Sequence, residues 1–237
     1  MAYNPLNEPH PAREDGHDGA DAEGFPEWLE AHRGTTGDLD RFYERIVGAI
    51  REVDPHTPVL VEGYGHGSVG GLTHLSPVDD PSILYSFHFY DPWQYTARKA
   101  NRGRYAYPLA MPAYWDGPPE EWGRDRVSRM MDPVADWAKA HAIPASRIVA
   151  AEFGCDRGAA GAREYLEDVV GTLNAWSWHW AFYSFREDAW DRMDYELGAG
   201  PLGAAYWDAV ERGESPERPW RDNPLWEVLQ QALQADR

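Results

Sequence analysis

Short apolar runs alternate with longer stretches in which apolar residues recur at helical spacing, the pattern of strand–helix units on a parallel sheet. Runs at 2–7, 58–62, 83–90, 148–153 and 178–185 predict five strands. Leu39, Phe42, Tyr43, Ile46, Val47, Ile50 and Val53 predict a helix after the first, with Asp38 as its N-cap. Val127, Met130, Met131, Val134, Trp137 and Ala138 predict another, kinked or restarted at Pro133 because proline offers no N–H to the preceding turn. Ala162, Tyr165, Leu166, Val169, Val170 and Leu173 give a third, and Leu225, Val228, Leu229 and Leu233 behind Asn223-Pro224 a fourth.

Two connections depart from this rhythm. The glycine-rich stretch 64–81 carries no strong helical pattern, so that crossover is expected to be short or irregular. Residues 91–123 form a long connection dense in Trp, Tyr, Arg and Pro, and a loop of that length in a compact domain is usually functional. No repeat, low-complexity tract or linker divides the chain, so residues 1–237 are expected to form one domain.

Composition narrows the partners. With 40 acidic and 22 basic residues the formal charge is −18, a field that repels nucleic acid and anionic membranes and suits a neutral or cationic partner. No apolar run approaches the roughly 18 residues of a membrane span. The single cysteine, Cys155, rules out an internal disulfide and is expected to be a buried, inert thiol. The histidines lack zinc-ligand spacing and the glycine-rich stretch lacks a phosphate loop's Lys-Ser/Thr, so no metal or cofactor is implied. Met1 is followed by no charged n-region, apolar h-region or cleavage site, which leaves localisation undecided.

Two glutamates close predicted strands: Glu8 in Asn7-Glu8-Pro9 and Glu152 in Glu152-Phe153-Gly154. Paired carboxyl groups at the C-terminal ends of barrel strands, about 5 Å apart, are what retaining glycoside hydrolysis requires. His88 and Tyr90 lie two apart on one strand and so face the same way. Twelve tryptophans and thirteen tyrosines are a high aromatic load, and flat rings stack on the apolar faces of sugars. Trp93 and Trp115, in the long connection, are candidate sugar platforms or, equally, a satellite core pinning that loop. Trp122 fits the core reading better, and Trp137, Trp176 and Trp226 sit on inward-facing patterns.

Four blocks, Asn7-Glu8-Pro9, His88-Phe89-Tyr90, Glu152-Phe153-Gly154 and the aromatic run from Trp178 to Phe185, stand in the order they have in glycoside hydrolase family 5, the cellulase-type family, which the sequence resembles. The resemblance implies a (β/α)8 TIM barrel entered at its fourth strand, with the run at 58–62 as strand five. It implies Glu8 as general acid/base and Glu152 as nucleophile, their environments pushing the two pKa values apart. Asn7 would bond the sugar 2-hydroxyl, Tyr90 would hold Glu152, and His88 would orient the sugar or the acid/base. Tyr183 or Trp180 would lie beneath the sugar, and period-2 alternation lets only one of them do so.

The family's first three strands, with an arginine near the nucleophile and a sugar-contacting histidine, have no counterpart in this sequence, so the barrel is expected to be incomplete. Its terminal strands would then leave edges open to self-association. The expected substrate is a β-linked glucan or related glycoside. A mannanase, an exo-glucosidase or a glycolipid glycosidase remains open, as does a carbohydrate-binding remnant without turnover. The family is commonly secreted.

Overall fold

A computed structural model describes residues 2–17, 19–20, 23–112, 117–187, 190, 192–198, 202–217 and 223–235. Contacts along the chain group these into two compact units: residues 1–89, 130–152 and 173–181 in one, and 90–129, 153–172 and 182–237 in the other.

The strands are β1 (Val59–Glu62), β2 (Ile83–Phe89), β3 (Ala110–Pro112), β4 (Pro119–Glu121), β5 (Ile148–Phe153) and β6 (His179–Trp180). The first unit is built on a sheet of order β1-β2-β5-β6, so strands adjacent in the chain order of the sheet are adjacent in space. β1 runs parallel to β2 with Val59 opposite Ile83, and β5 runs parallel to β6 with Val149 opposite His179. Val59, Val61, Ile83, Tyr85, Phe87, Ile148 and Ala150 are fully buried, which is why these strands read as nearly unbroken apolar runs rather than alternating ones.

The helix Leu39–Val53 forms as the pattern predicts, and Asp38 caps it by accepting the N–H of Arg41. Its Tyr43 is buried and reaches β1: the hydroxyl donates to the carbonyl of Glu62 at 2.8 Å and accepts the Glu62 N–H at 3.0 Å. Trp137, on the helix Arg124–Ala140, packs edge-on to Tyr85 of β2 at 5.0 Å and donates its indole N–H to the Leu75 carbonyl. That helix runs through Pro133 instead of restarting there, its buried stripe of Met131, Val134 and Trp137 continuing across the proline.

Four expectations need correction. The strand expected at 2–7 shrinks to one parallel bridge, Tyr3 beside Val59. Pro5 has no N–H to pair, and the Asn4 side chain accepts the Leu6 N–H, turning the chain away from the ladder. The strand expected at 83–90 ends at Phe89. The strand expected at 178–185 is regular only over His179–Trp180, although Ala181 N–H still bonds the Ala150 carbonyl. Trp176, expected in the core, is 39% exposed and stacks on Trp178 at 5.4 Å.

The second unit holds the antiparallel pair β3–β4 and a core of Tyr95, Tyr107 and Tyr165, whose rings lie 5.4 to 5.9 Å apart. Tyr107 donates to Asp168 at 2.6 Å. Cys155 is fully buried, and that burial pushes its thiol pKa well up, as an inert thiol requires. Trp122 is buried, in keeping with a satellite core under the long connection. No helix among the described residues is long and apolar enough to cross a membrane.

Candidate active site

The parallel register brings the C-terminal ends of β1, β2 and β5 to one end of the sheet. Each carries a polar residue there: Glu62 ends β1, His88 is next to last in β2, and Glu152 is next to last in β5. The segment after the Tyr3 bridge brings Glu8 to the same place. His88 Nδ1 lies 2.9 Å from Glu8 Oε1 and 3.6 Å from Glu152 Oε2, and one carboxylate oxygen of each glutamate lies within 4.8 Å of the other.

Exposure separates the four residues. The side chains of Glu8 and Glu152 are 34% and 25% exposed, while those of His88 and Glu62 are 3% and 0%. Two carboxyl groups therefore face the solvent side with an imidazole and a third carboxylate beneath them. Glu62 accepts the Asn4 side-chain N–H at 2.6 Å and the Glu8 main-chain N–H at 2.8 Å. Its Oε2 lies 3.6 Å from His88 Nε2, an ion pair rather than a hydrogen bond.

Burial alone would push the His88 imidazole down. The contacts with Glu62 and Glu8 and the charge of Glu152 outweigh it and hold the pKa up at about 9. Burial likewise acts to raise the Glu62 carboxyl, and the contacts with His88, the Glu8 N–H and Asn4 overcome it, so Glu62 is held below its ordinary value. His88 is thus an imidazolium at neutral pH, set among three carboxyl groups. One ligand atom from each of Glu8, His88 and Glu152 lies within a span a divalent cation could bridge, and a cation there would have to displace the proton that the carboxyl groups hold on the ring. Two carboxyl groups so placed can carry acid/base and nucleophilic chemistry.

Asn7 is exposed beside this cluster in sequence. The Trp180 indole N–H donates to Asn174 Oδ1 at 2.9 Å, at the end of the helix that precedes β6. Tyr90, Trp93 and Tyr183 belong to the second unit, where Trp190 gathers them. Its ring meets Tyr90 edge-on at 5.5 Å, Tyr183 edge-on at 5.3 Å and Trp93 at 5.7 Å. The Tyr183 hydroxyl donates to Glu187 at 2.6 Å, and Trp93 is 36% exposed. Trp115 lies outside the described residues.

Two residues of these clusters escaped the sequence analysis. Glu62 was legible only as the end of an apolar strand, and its signal was a carboxylate placed where the pattern demands burial. Trp190 sits in a polar stretch without periodicity, and nothing local marks it.

Comparison with known proteins gives the family and the fold. The family model described as Cellulase, glycosyl hydrolase family 5, matches residues 1–189. Endoglucanase H of Acetivibrio thermocellus is 28% identical over 114 residues, covering 46% of this chain and 11% of that protein. Among solved structures, one described as a glycoside hydrolase superposes with a TM-score of 0.64 at 20% identity, over 98% of this chain and 59% of its own. The endoglucanase Cel5A of Thermotoga maritima gives 0.56 at 17% identity, over 82% of this chain and 53% of its own. These structural likenesses are of fold, and the chain spans little more than half the length of either structure.

Proposed function

Since this chain belongs to glycosyl hydrolase family 5, we propose that it hydrolyses a β-linked glucan or related β-glycoside with retention of configuration, Glu8 acting as general acid/base and Glu152 as nucleophile. The observation that carries this reading is the approach of the two carboxyl groups to within 4.8 Å, close to the roughly 5 Å of retaining enzymes and well short of the 6.5 to 9.5 Å that leaves room for an inverting water. The parallel order of the Tyr3 segment, β1, β2, β5 and β6 supports a match with the fourth to eighth strands of the family's (β/α)8 barrel, in one catalytic domain.

In this reading Glu152 attacks the anomeric carbon as Glu8 protonates the departing oxygen. The glycosyl–enzyme ester is then hydrolysed by a water that Glu8, now a carboxylate, deprotonates. The 2.9 Å contact supports His88 in orienting Glu8. Its positive charge also favours the carboxylate that Glu8 becomes after giving up its proton. Asn7 is kept as the partner of the sugar 2-hydroxyl. Tyr183 and Trp180 are both kept for the place beneath the sugar, each with its polar tip already bonded, to Glu187 and to Asn174, and a ring face able to stack. Tyr90, Trp93, Tyr183 and Trp190 are proposed as a sugar-stacking surface, and the charge of −18 suits an uncharged glycan.

The reading is tested with a 2-deoxy-2-fluoro β-cellobioside bearing an activated leaving group, which slows deglycosylation and traps the ester. A mass shift of one glycosyl group on the peptide containing Glu152 is expected. Labelling of another carboxylate, or an inverted product by NMR, overturns the mechanism. Cello-oligosaccharide binding without any turnover assigns the chain to carbohydrate binding instead.

A further inference from the structure

Glu62 has no part in the two-carboxylate scheme, yet it is the most buried charge of the cluster. A buried carboxylate persists only where its oxygens are satisfied, and here each oxygen has a different task. Oε1 takes the Asn4 side chain. Oε2 takes the main-chain N–H of Glu8 at 2.8 Å and faces His88 Nε2 at 3.6 Å. The residue itself is fixed by the Tyr43 hydroxyl, which bonds both its N–H and its carbonyl.

The two ends held by Oε2 meet again at the Glu8 carboxyl group. Glu8 has φ 49°, the left-handed region, which is unfavourable for a non-glycine residue and needs an external hold. The hydrogen bond from its N–H to Glu62 supplies that hold. Among the described residues His88 Nε2 has no hydrogen-bond partner, and it is sealed from water, so the Glu62 carboxylate 3.6 Å away is what favours a proton on that atom. With Nε2 held toward Glu62, Nδ1 is the ring atom presented to Glu8, at 2.9 Å. Gly67, at φ 67°, packs against both partners: a methyl group in its place would stand 3.3 Å from Glu62 Oε2 and 3.5 Å from His88 Cγ. The loop after β1 therefore closes over the pair without intervening side-chain atoms.

We infer that Glu62 is the positioning residue of the acid/base, fixing the Glu8 backbone through its N–H and the Glu8 carboxyl group through the charge and orientation of the His88 ring. This rests on Glu8 being the acid/base. Glu62 touches neither the solvent-facing carboxyl groups nor the space in front of them, so it acts through others and is not a catalytic residue. The ionisable groups facing His88 are Glu8 from the N-terminal segment, Glu62 from β1 and Glu152 from β5. Removing the charge of Glu62 leaves two of the three.

The test is ¹⁵N NMR of the His88 imidazole across pH in the full chain and in Glu62→Gln, with the pH profile of aryl β-cellobioside hydrolysis alongside. In Glu62→Gln the loss of the His88 proton is expected about 1 to 3 pH units lower, and the alkaline limb of kcat/KM moves with it. The fall in kcat is expected to exceed any change in KM, since Glu62 does not meet substrate. A merely structural role lowers amplitude without moving either titration. In the wild-type chain both ring nitrogens of His88 are expected to stay protonated through pH 8, a measurement that needs no variant and stands if Glu62→Gln does not fold. A ring already neutral at pH 7, or an unchanged His88 titration in folded Glu62→Gln, overturns the inference. A chain that turns over no β-glycoside but shows the expected His88 behaviour overturns the functional reading alone.

Discussion

Raising the pH from 6 to 9.5 removes the proton that His88 carries in the folded chain, and the unfolded chain loses its own at about 6.5. The folded value of about 9 lies above the ordinary 6.5, so the folded state binds the extra proton throughout that interval. The sign follows: the stability it contributes is fully present below 6.5 and is lost as pH rises through 9. A gap of about 2.5 units, at ~1.36 kcal/mol per unit, makes the loss about 3 kcal/mol. That is a large part of the 5–15 kcal/mol typical of a folded domain. The assay is urea unfolding followed by circular dichroism at half-unit pH steps, for the wild-type chain and for His88→Gln. Wild-type stability is expected to fall by that amount across the window, with no matching fall in the variant. Parallel pH curves for the two proteins refute the charge assignment of the cluster.

Other consequences are measurable separately. Glu8→Gln and Glu152→Gln are each expected to lower kcat on cello-oligosaccharides by about 10² to 10⁴ or more, with circular dichroism unchanged. Tyr43→Phe leaves the buried N–H and carbonyl of Glu62 without their partner, and a loss of about 2–4 kcal/mol in urea unfolding is expected. Trp190→Ala is expected to raise KM for oligosaccharides about tenfold, ~1.4 kcal/mol, by removing the ring that gathers Tyr90, Trp93 and Tyr183. An unchanged KM for that variant removes the stacking role.

Much of the fold was legible because burial writes itself into local patterns. The helix Leu39–Val53 shows a seven-residue apolar series behind an aspartate cap, and β2 shows seven residues with hardly a polar interruption. Both follow from a parallel sheet covered by helices, which imposes period 3.6 on one layer and continuous burial on the other. Glu8, His88 and Glu152 were legible as polar residues at the ends of such runs, where strand ends carry chemistry and strand middles do not.

The rest depended on contacts between residues far apart in the chain. The segment 2–7 has a strand's composition, yet Pro5 and the Asn4 turn leave it a single bridge, because pairing needs an N–H at each ladder position. Glu62 read as the last residue of an apolar run. It takes its role from Asn4 and Glu8, more than fifty residues earlier, and from His88 on the next strand. Trp190 has no pattern around it, and its importance comes from three rings supplied by other segments. Local sequence carries propensity and burial, which act over a few residues. The partner that satisfies a buried charge or stacks on a ring is chosen by the chain's path through space.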